Sequence, residues 1–427
     1  MKKPNIIFYF SDQQRADSAG CYGQKLPVTP NLDALAEEGT LFENAFTCQP
    51  VCGPMRACLQ SGVYASQIGC YRNDIALPTD CRTIAHCVKE VGYETAYIGK
   101  WHLASDKEHR LATKPTPAER RGGYDYWRAA DILEFTSHGY NGYVFDENCN
   151  RIDFKGYRAD CINDFAIEYI KKPHDKPFFM FVSQLEPHHQ NDRLRFESPK
   201  GLKNRFKDYE IPGDLKGTLG DWRFQMPSYL ACCNSVDTNF GKLIQALKDE
   251  GLYDNTVIIY TSDHGCHFRT RNAEYKRSCH EASIKVPLVI CGGGFTGGGR
   301  VSDLVSLIDL PATILDIAGA EIPGHFMGKS LTDLKGHESV FMQISESQIG
   351  RAVRTDRWKY SVTAKNADKA FADAYTDDFL YDLQNDPYEK NNLIGNPEYD
   401  EIRLEMRKIL LEYMTKAGEP VLTINDK

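Results

Sequence analysis

A cysteine with proline two places on and arginine four places on, Cys52-Gly53-Pro54-Met55-Arg56, puts a nucleophilic side chain and a permanent cation one helical turn apart. Proline favours the first turn of a helix, so a helix beginning near Pro54 would hold the Arg56 guanidinium beside Cys52. Two aspartates each close an apolar run: residues 5–10 lead into Ser11-Asp12, and residues 256–261 lead into Ser262-Asp263-His264. Two carboxylates and a neutral imidazole suit a divalent cation, because they supply hard oxygen donors and one nitrogen. The competing use of such aspartates is to cap the helix that follows the strand. Lys100 and His102 follow the run 95–98, His188 follows 177–182, and Lys276 lies beyond Asp263. Imidazoles can donate or accept protons near neutral pH, and lysines can hold an anion. A lysine taken alone is more often a solvated surface charge.

Four β-branched and aromatic runs therefore deliver these side chains. Runs of this kind, apolar throughout, read as strands covered on both faces, which means a parallel sheet. Ligand groups in such sheets collect at the carboxyl ends of the strands. Helices fill the intervals. Thr29 is placed to cap a helix with Pro30 at its first position and Gly39 at its end, and Val236, Phe240, Leu243, Ile244 and Leu247 mark one face of another, closed by Gly251. The glycine-rich stretch 292–299 reads as a surface loop. It lacks the lysine-serine ending of a phosphate-binding loop. Beyond residue 335 the texture changes to short strands at 352–355, 358–361 and 379–382, then a helix with Ile402, Ile409, Leu410 and Tyr413 on one side. The expected division is a large α/β domain, 1–335, and a smaller α+β subdomain, 336–427, packed on it.

Composition bounds the function classes. The chain has 427 residues, 14 cysteines and a formal net charge of −8, which argues against nucleic acid as a partner. An anionic substrate would instead need a local knot of positive charge. No apolar stretch reaches the length of a membrane span, and the opening residues read as a first strand, so a cytoplasmic, membrane-free protein is expected. The cysteines are scattered, and Cys87, Cys161, Cys232, Cys233 and Cys291 fall in core elements, which favours reduced thiols over a disulfide framework.

The Cys52-x-Pro54-x-Arg56 pattern resembles the recoding signal of the sulfatases. The resemblance extends through Ala57-Cys58-Leu59-Gln60-Ser61-Gly62, Gly99-Lys100-Trp101-His102, Pro187-His188, Asp263-His264, Lys276 and Asp309-Leu310-Pro311-Ala312-Thr313. It implies an alkaline-phosphatase-like fold, with a large mixed, mostly parallel sheet between helices and a small C-terminal antiparallel sheet plus helix. It implies hydrolysis of a sulfate monoester through formylglycine, made from Cys52 by a maturation enzyme, whose hydrate attacks sulfur. It also implies one divalent cation, calcium first and manganese or magnesium as alternatives, on Asp12, Asp263 and His264, with Gln13 and the residue at 52 as further candidates.

Gln13 and His264 depart from the Asp and Asn common in the family. They resemble choline-sulfatase-like and phosphonate-monoester-hydrolase-like members, which leaves Gln13 open as a ligand and points towards manganese. By the same resemblance Arg56 steadies the nucleophile and Lys100 and Lys276 grip the sulfate. His102 is the base that releases sulfate, and His188, rather than His189, is the acid for the leaving alcohol. His280 stands where relatives often place tyrosine, either shaping the leaving-group pocket or filling the core.

The expected substrate is a sulfated carbohydrate or other small organic sulfate. A phosphonate monoester or phosphodiester hydrolase and a non-catalytic binder of sulfated ligands are the competing readings, and a homo-oligomer is left open. Loops 106–143, 189–221, 267–273 and 345–351 are expected to wall the pocket, with Arg193, Arg195 and Arg269 as candidates for a sugar carboxylate.

Overall fold

The computed structural model describes residues 2–365, 369–420 and 423–427. Its larger sheet has twelve strands: β1 (Asn5–Ser11), β2 (Thr40–Phe46), β3 (Glu94–Lys100), β4 (Tyr126–Ala130), β5 (Ser137–His138), β6 (Asn141–Asp146), β7 (Arg151–Lys155), β8 (Phe178–Ser183), β9 (Thr256–Ser262), β10 (Lys285–Val286), β11 (Leu288–Cys291) and β12 (Gly299–Ser306). The centre, in the order β9-β1-β8-β3-β4, is wholly parallel, and the flanks turn antiparallel where β11 joins β9 and β6 joins β4.

Every residue of β1, β8 and β9 is buried. Strand periodicity sends Ile6, Phe8 and Phe10 into one core and Ile7 and Tyr9 into the other. The first core is covered by helices Cys52–Ser61, Ile84–Glu90 and Asp309–Ala318, and the second by Pro30–Glu38, Arg158–Ile170 and Trp222–Asp249. Removing a large apolar side chain from water contributes about 1.5–3 kcal/mol, so the central strands anchor the three-layer arrangement.

Local details differ from the sequence reading in three places. Thr29 stands at the N-cap, yet its hydroxyl accepts from Gly20 N and donates to Asp33 Oδ1 instead of closing the helix. The helix read around 236–247 runs from Trp222 to Asp249 with Pro227 inside it. In the last helix, Asp400–Lys416, the buried residues are Met406, Leu410 and Met414, while Ile402, Ile409 and Tyr413 are half-buried at its margin.

A second sheet, β13 (Ser339–Ile344), β14 (Ile349–Thr355), β15 (Trp358–Ala364), β16 (Ala374–Asp382) and β17 (Thr423–Asn425), is antiparallel except for the last pair. It packs Val340, Met342, Ile344 and Ala352 against Phe46 and Leu304 of the first and against Ile284 of the short helix Glu281–Ile284. Gln343 N donates to Cys48 O at 2.8 Å, and Gln49 Nε2 to Ser345 Oγ at 2.8 Å. The segment just before Cys52 is thus tied to the second sheet. All fourteen cysteines are unpaired. Among the described residues, no helix is long and apolar enough to cross a membrane.

Candidate active site

The strand order decides where the chemistry gathers. β9, β1, β8 and β3 are neighbours and parallel, so Asp263, Asp12, His188 and Lys100 leave the sheet at one edge. Cys52 opens helix Cys52–Ser61, which ends at Gly62 in the left-handed region, and the helix lies wholly buried against that edge.

Cys52 Sγ stands 3.3 Å from Asp12 Oδ1, 3.3 Å from His264 Nε2 and 2.7 Å from Lys276 Nζ. Arg56 reaches Asp12 Oδ2 at 3.1 Å through one terminal nitrogen. Its other terminal nitrogen binds Lys100 O at 2.8 Å and Ser183 Oγ at 2.6 Å. Lys100 Nζ bridges Asp12 Oδ2 at 2.9 Å and Glu134 Oε1 at 3.0 Å. Lys276 Nζ also donates to His188 Nε2 at 3.3 Å. Around these groups lies a cavity of 160 Å³, whose wall includes Cys52, His102, Glu134, His188, Lys276 and Arg277.

Burial and like charge raise the cost of the carboxylates, and the cations offset it unevenly. Burial would raise Asp12, but Lys100, His188, Lys276 and Arg56 hold it well below the usual carboxylate range. Asp263 is pushed up to about 7 by burial and by Asp12. Burial also pushes the Cys52 thiol up to about 12, with Asp12 adding to it and Lys100 and Lys276 opposing. As encoded, the residue is a poor thiolate nucleophile at neutral pH. His102, His188 and His264 are all lowered, chiefly by burial.

The donor set fits a divalent cation. One ligand atom from each of Asp12, Cys52, Asp263 and His264 lies within 4.8 Å of the others. Asp263 Oδ2 is buried and has no hydrogen-bond partner among the described residues. His264 Nδ1 lies 2.9 Å from Gly265 O, a donor position that leaves Nε2 with its lone pair towards Cys52 and the aspartates.

Two sequence candidates sit elsewhere in role or place. Gln13 has φ 71° and gives its backbone N–H to Asp263 Oδ1, but its side-chain amide donates to Cys266 Sγ and accepts from His189 N. His280 is not brought to the cavity: its Nε2 meets Tyr381 Oη at 3.1 Å, and its ring packs on Phe379 and Tyr381. His189 stacks on Tyr275 and bonds Asn191, while His188 faces Lys276. Arg193 and Arg195 line a neighbouring groove rather than the cavity, and Arg269 pairs with Asp221. The cavity wall also contains Asn73, Asp74, Glu134 and Arg277, which sequence reading did not single out. Of these four, only Glu134 lies in a loop range expected to wall the pocket, 106–143.

A profile of the family described as Sulfatase matches residues 4–320, and one described as N-sulphoglucosamine sulphohydrolase, C-terminal, matches 274–416. The chain is similar to the uncharacterized sulfatase YidJ of Escherichia coli, 33% identical over 98% of this chain and 89% of that one. It is also similar to an N-acetylglucosamine-6-O-sulfatase of Bacteroides thetaiotaomicron, 28% identical over 96% and 86%. The solved structure of yidJ from Bacteroides fragilis superposes with a TM-score of 0.86 at 27% identity, covering 98% and 97%.

Proposed function

The chain belongs to the sulfatase family and is a sulfuric ester hydrolase of alkaline-phosphatase-like fold, and on that premise we propose that it removes sulfate from a sulfated carbohydrate at the Cys52 cavity. One observation carries the site assignment: Cys52 Sγ lies in contact with Asp12, His264 and Lys276, side chains from three distant parts of the sequence. A divalent cation held by Asp12, Asp263 and His264 would supply a Lewis acid that lowers the pKa of an attacking hydroxyl. Oxidation of Cys52 to formylglycine by a maturation enzyme would supply that hydroxyl in hydrated form, in place of a thiol held protonated by its burial.

The remaining steps fall to the chain's own residues. Lys276 and Lys100 hold sulfuryl oxygens, and both stay cationic because neighbouring acids outweigh the cost of burial. Glu134 and Asp12 fix Lys100 from two sides, so its ammonium is oriented before substrate arrives. Lys100, with a smaller share from Arg56, keeps Asp12 ionised, and the Arg56 bond aligns it. His188, beside Lys276, is placed to hand a proton to the departing alcohol, and His102, also in the cavity wall, to take one when sulfate leaves. The N-acetylglucosamine-6-O-sulfatase relative supports a sugar sulfate as the substrate class.

Cys52→Ala in protein matured by its native host should lose turnover of sulfate esters while keeping its unfolding midpoint. Near-normal hydrolysis by that variant would end the nucleophile assignment. Peptide mass spectrometry of the residue-52 fragment reads the modification itself.

A further inference from the structure

Beside the Cys52 cavity lies a second, larger depression of 550 Å³, to which the sequence candidates Arg193 and Arg195 belong. The walls of the two are continuous along the chain. Phe135 and Asn191 line the cavity, and His138 and Arg193, a few residues on, line the groove. His138 Nε2 and Asp192 Oδ2, 2.8 Å apart, join the two segments at the junction.

The groove's charge runs against that of the whole protein. Four of its side chains are cationic, Arg193, Arg195, Lys200 and Lys203, against the single acid Glu197, in a chain of formal net charge −8. Glu197 pairs with Arg195 at 3.0 Å, while Lys200 and Lys203 have no carboxylate at ion-pair distance among the described residues. The groove also exposes ring faces: Phe224 is 85% and Tyr140 40% exposed, with the Lys200 ammonium 5.0 Å over the Tyr140 ring. Cationic forks and ammonium groups next to aromatic faces match a sugar ring that carries carboxylate or sulfate.

We propose that this groove binds the neighbouring residues of an acidic oligosaccharide whose sulfate ester occupies the Cys52 cavity. The preferred substrate is then a charged oligosaccharide, and an isolated sugar sulfate or aryl sulfate reaches the Cys52 cavity without the groove's contribution to binding. The inference rests on the hydrolase reading above, and each can fail without the other.

Calorimetric titration of the mature protein with a heparin-derived tetrasaccharide, glucosamine 6-sulfate and maltotetraose tests the groove. Hydrolysis of 4-nitrophenyl sulfate by the same preparation tests the hydrolase reading. The tetrasaccharide should bind at least about tenfold tighter than the monosaccharide, as several exposed charge pairs and a stacked ring would provide. Lys200→Glu with Lys203→Glu, both at exposed positions, should erase that advantage. An advantage that survives the double variant, or one that maltotetraose shares, would overturn the proposal, as would equal affinity for the two sulfated ligands. Loss of aryl sulfate turnover with the binding pattern intact would instead strike the assigned reaction.

Discussion

Replacing Arg56 by lysine separates charge from geometry at the centre of the site. The guanidinium spans three acceptors, Asp12 Oδ2, Lys100 O and Ser183 Oγ, at 3.1, 2.8 and 2.6 Å. It is 2% exposed, so no water replaces a lost bond without rearrangement. A lysine keeps the positive charge but has one nitrogen, which cannot reach Asp12 and the Lys100 carbonyl pair together. Two bonds from a charged donor are then broken, at about 1.5–3 kcal/mol each, and a relaxed ammonium recovers about one of them. The expected net loss is about 1.5–3 kcal/mol in unfolding free energy, read as a lower urea midpoint at unchanged slope. Because Arg56 also sets Asp12 and the strand end that bears Lys100, kcat/KM for an aryl sulfate should fall about a hundredfold, the usual cost of small misplacements. If Arg56→Lys lost under about 1 kcal/mol and held turnover within about threefold, a charge-only role would stand and the positioning argument would be wrong.

Chelation should abolish turnover and lower the unfolding midpoint, and calcium, manganese and magnesium added singly should restore both in proportion to affinity, with a cation at a hundred times its Kd adding about 2.7 kcal/mol. No midpoint shift with any of the three would argue that Asp12, Asp263 and His264 hold no cation. His267 is buried, its Nε2 lies 2.9 Å from Lys276 O, and burial lowers it to about 4. Its native pKa lies below the ordinary one, so the unfolded chain takes the proton first, and stability is present above pH 6.5 and lost as pH falls towards 4. Between pH 7 and pH 5 this group should cost about 2 kcal/mol, a share that His267→Gln removes; an identical pH slope in the variant would count against it. His280→Phe should keep aryl sulfate kcat/KM within about twofold and lose about 1 kcal/mol for the bond to Tyr381, as unfolding titrations and steady-state kinetics would show.

The strands that carry the site were legible because each is buried on both faces and so reads as an unbroken apolar run ending in a polar residue. The four strand ends bearing Asp12, Lys100, His188 and Asp263 were read as aiming at one place, and Cys52, Arg56 and Lys276 joined them only through the resemblance to the sulfatases. The wall of the cavity was not legible. Asn73, Asp74 and Arg277 sit in irregular segments with no period to follow, and Asp74 and Arg277 have positive φ. His280 shows why proximity in sequence misleads. Lys276 points into the cavity, the chain turns at Arg277 with φ 65°, and three residues later His280 heads a short helix facing the second sheet. The long helix from Trp222 was foreshortened because Pro227 interrupts the pattern early, where the loss of one N–H bond is tolerated by a helix buried over most of its length.

The bonds from Gln343 to Cys48 and from Gln49 to Ser345 set a clock on synthesis. Residue 52 is 1% exposed in the folded chain, so on the proposed maturation its oxidation belongs before the chain has folded around it. Ribosomes add about 5–20 residues per second, and the stretch from 52 to 345 therefore takes roughly 15–60 s to emerge. Slowing elongation within that stretch should raise the fraction converted, and rapid overproduction should leave more protein folded around an unconverted thiol.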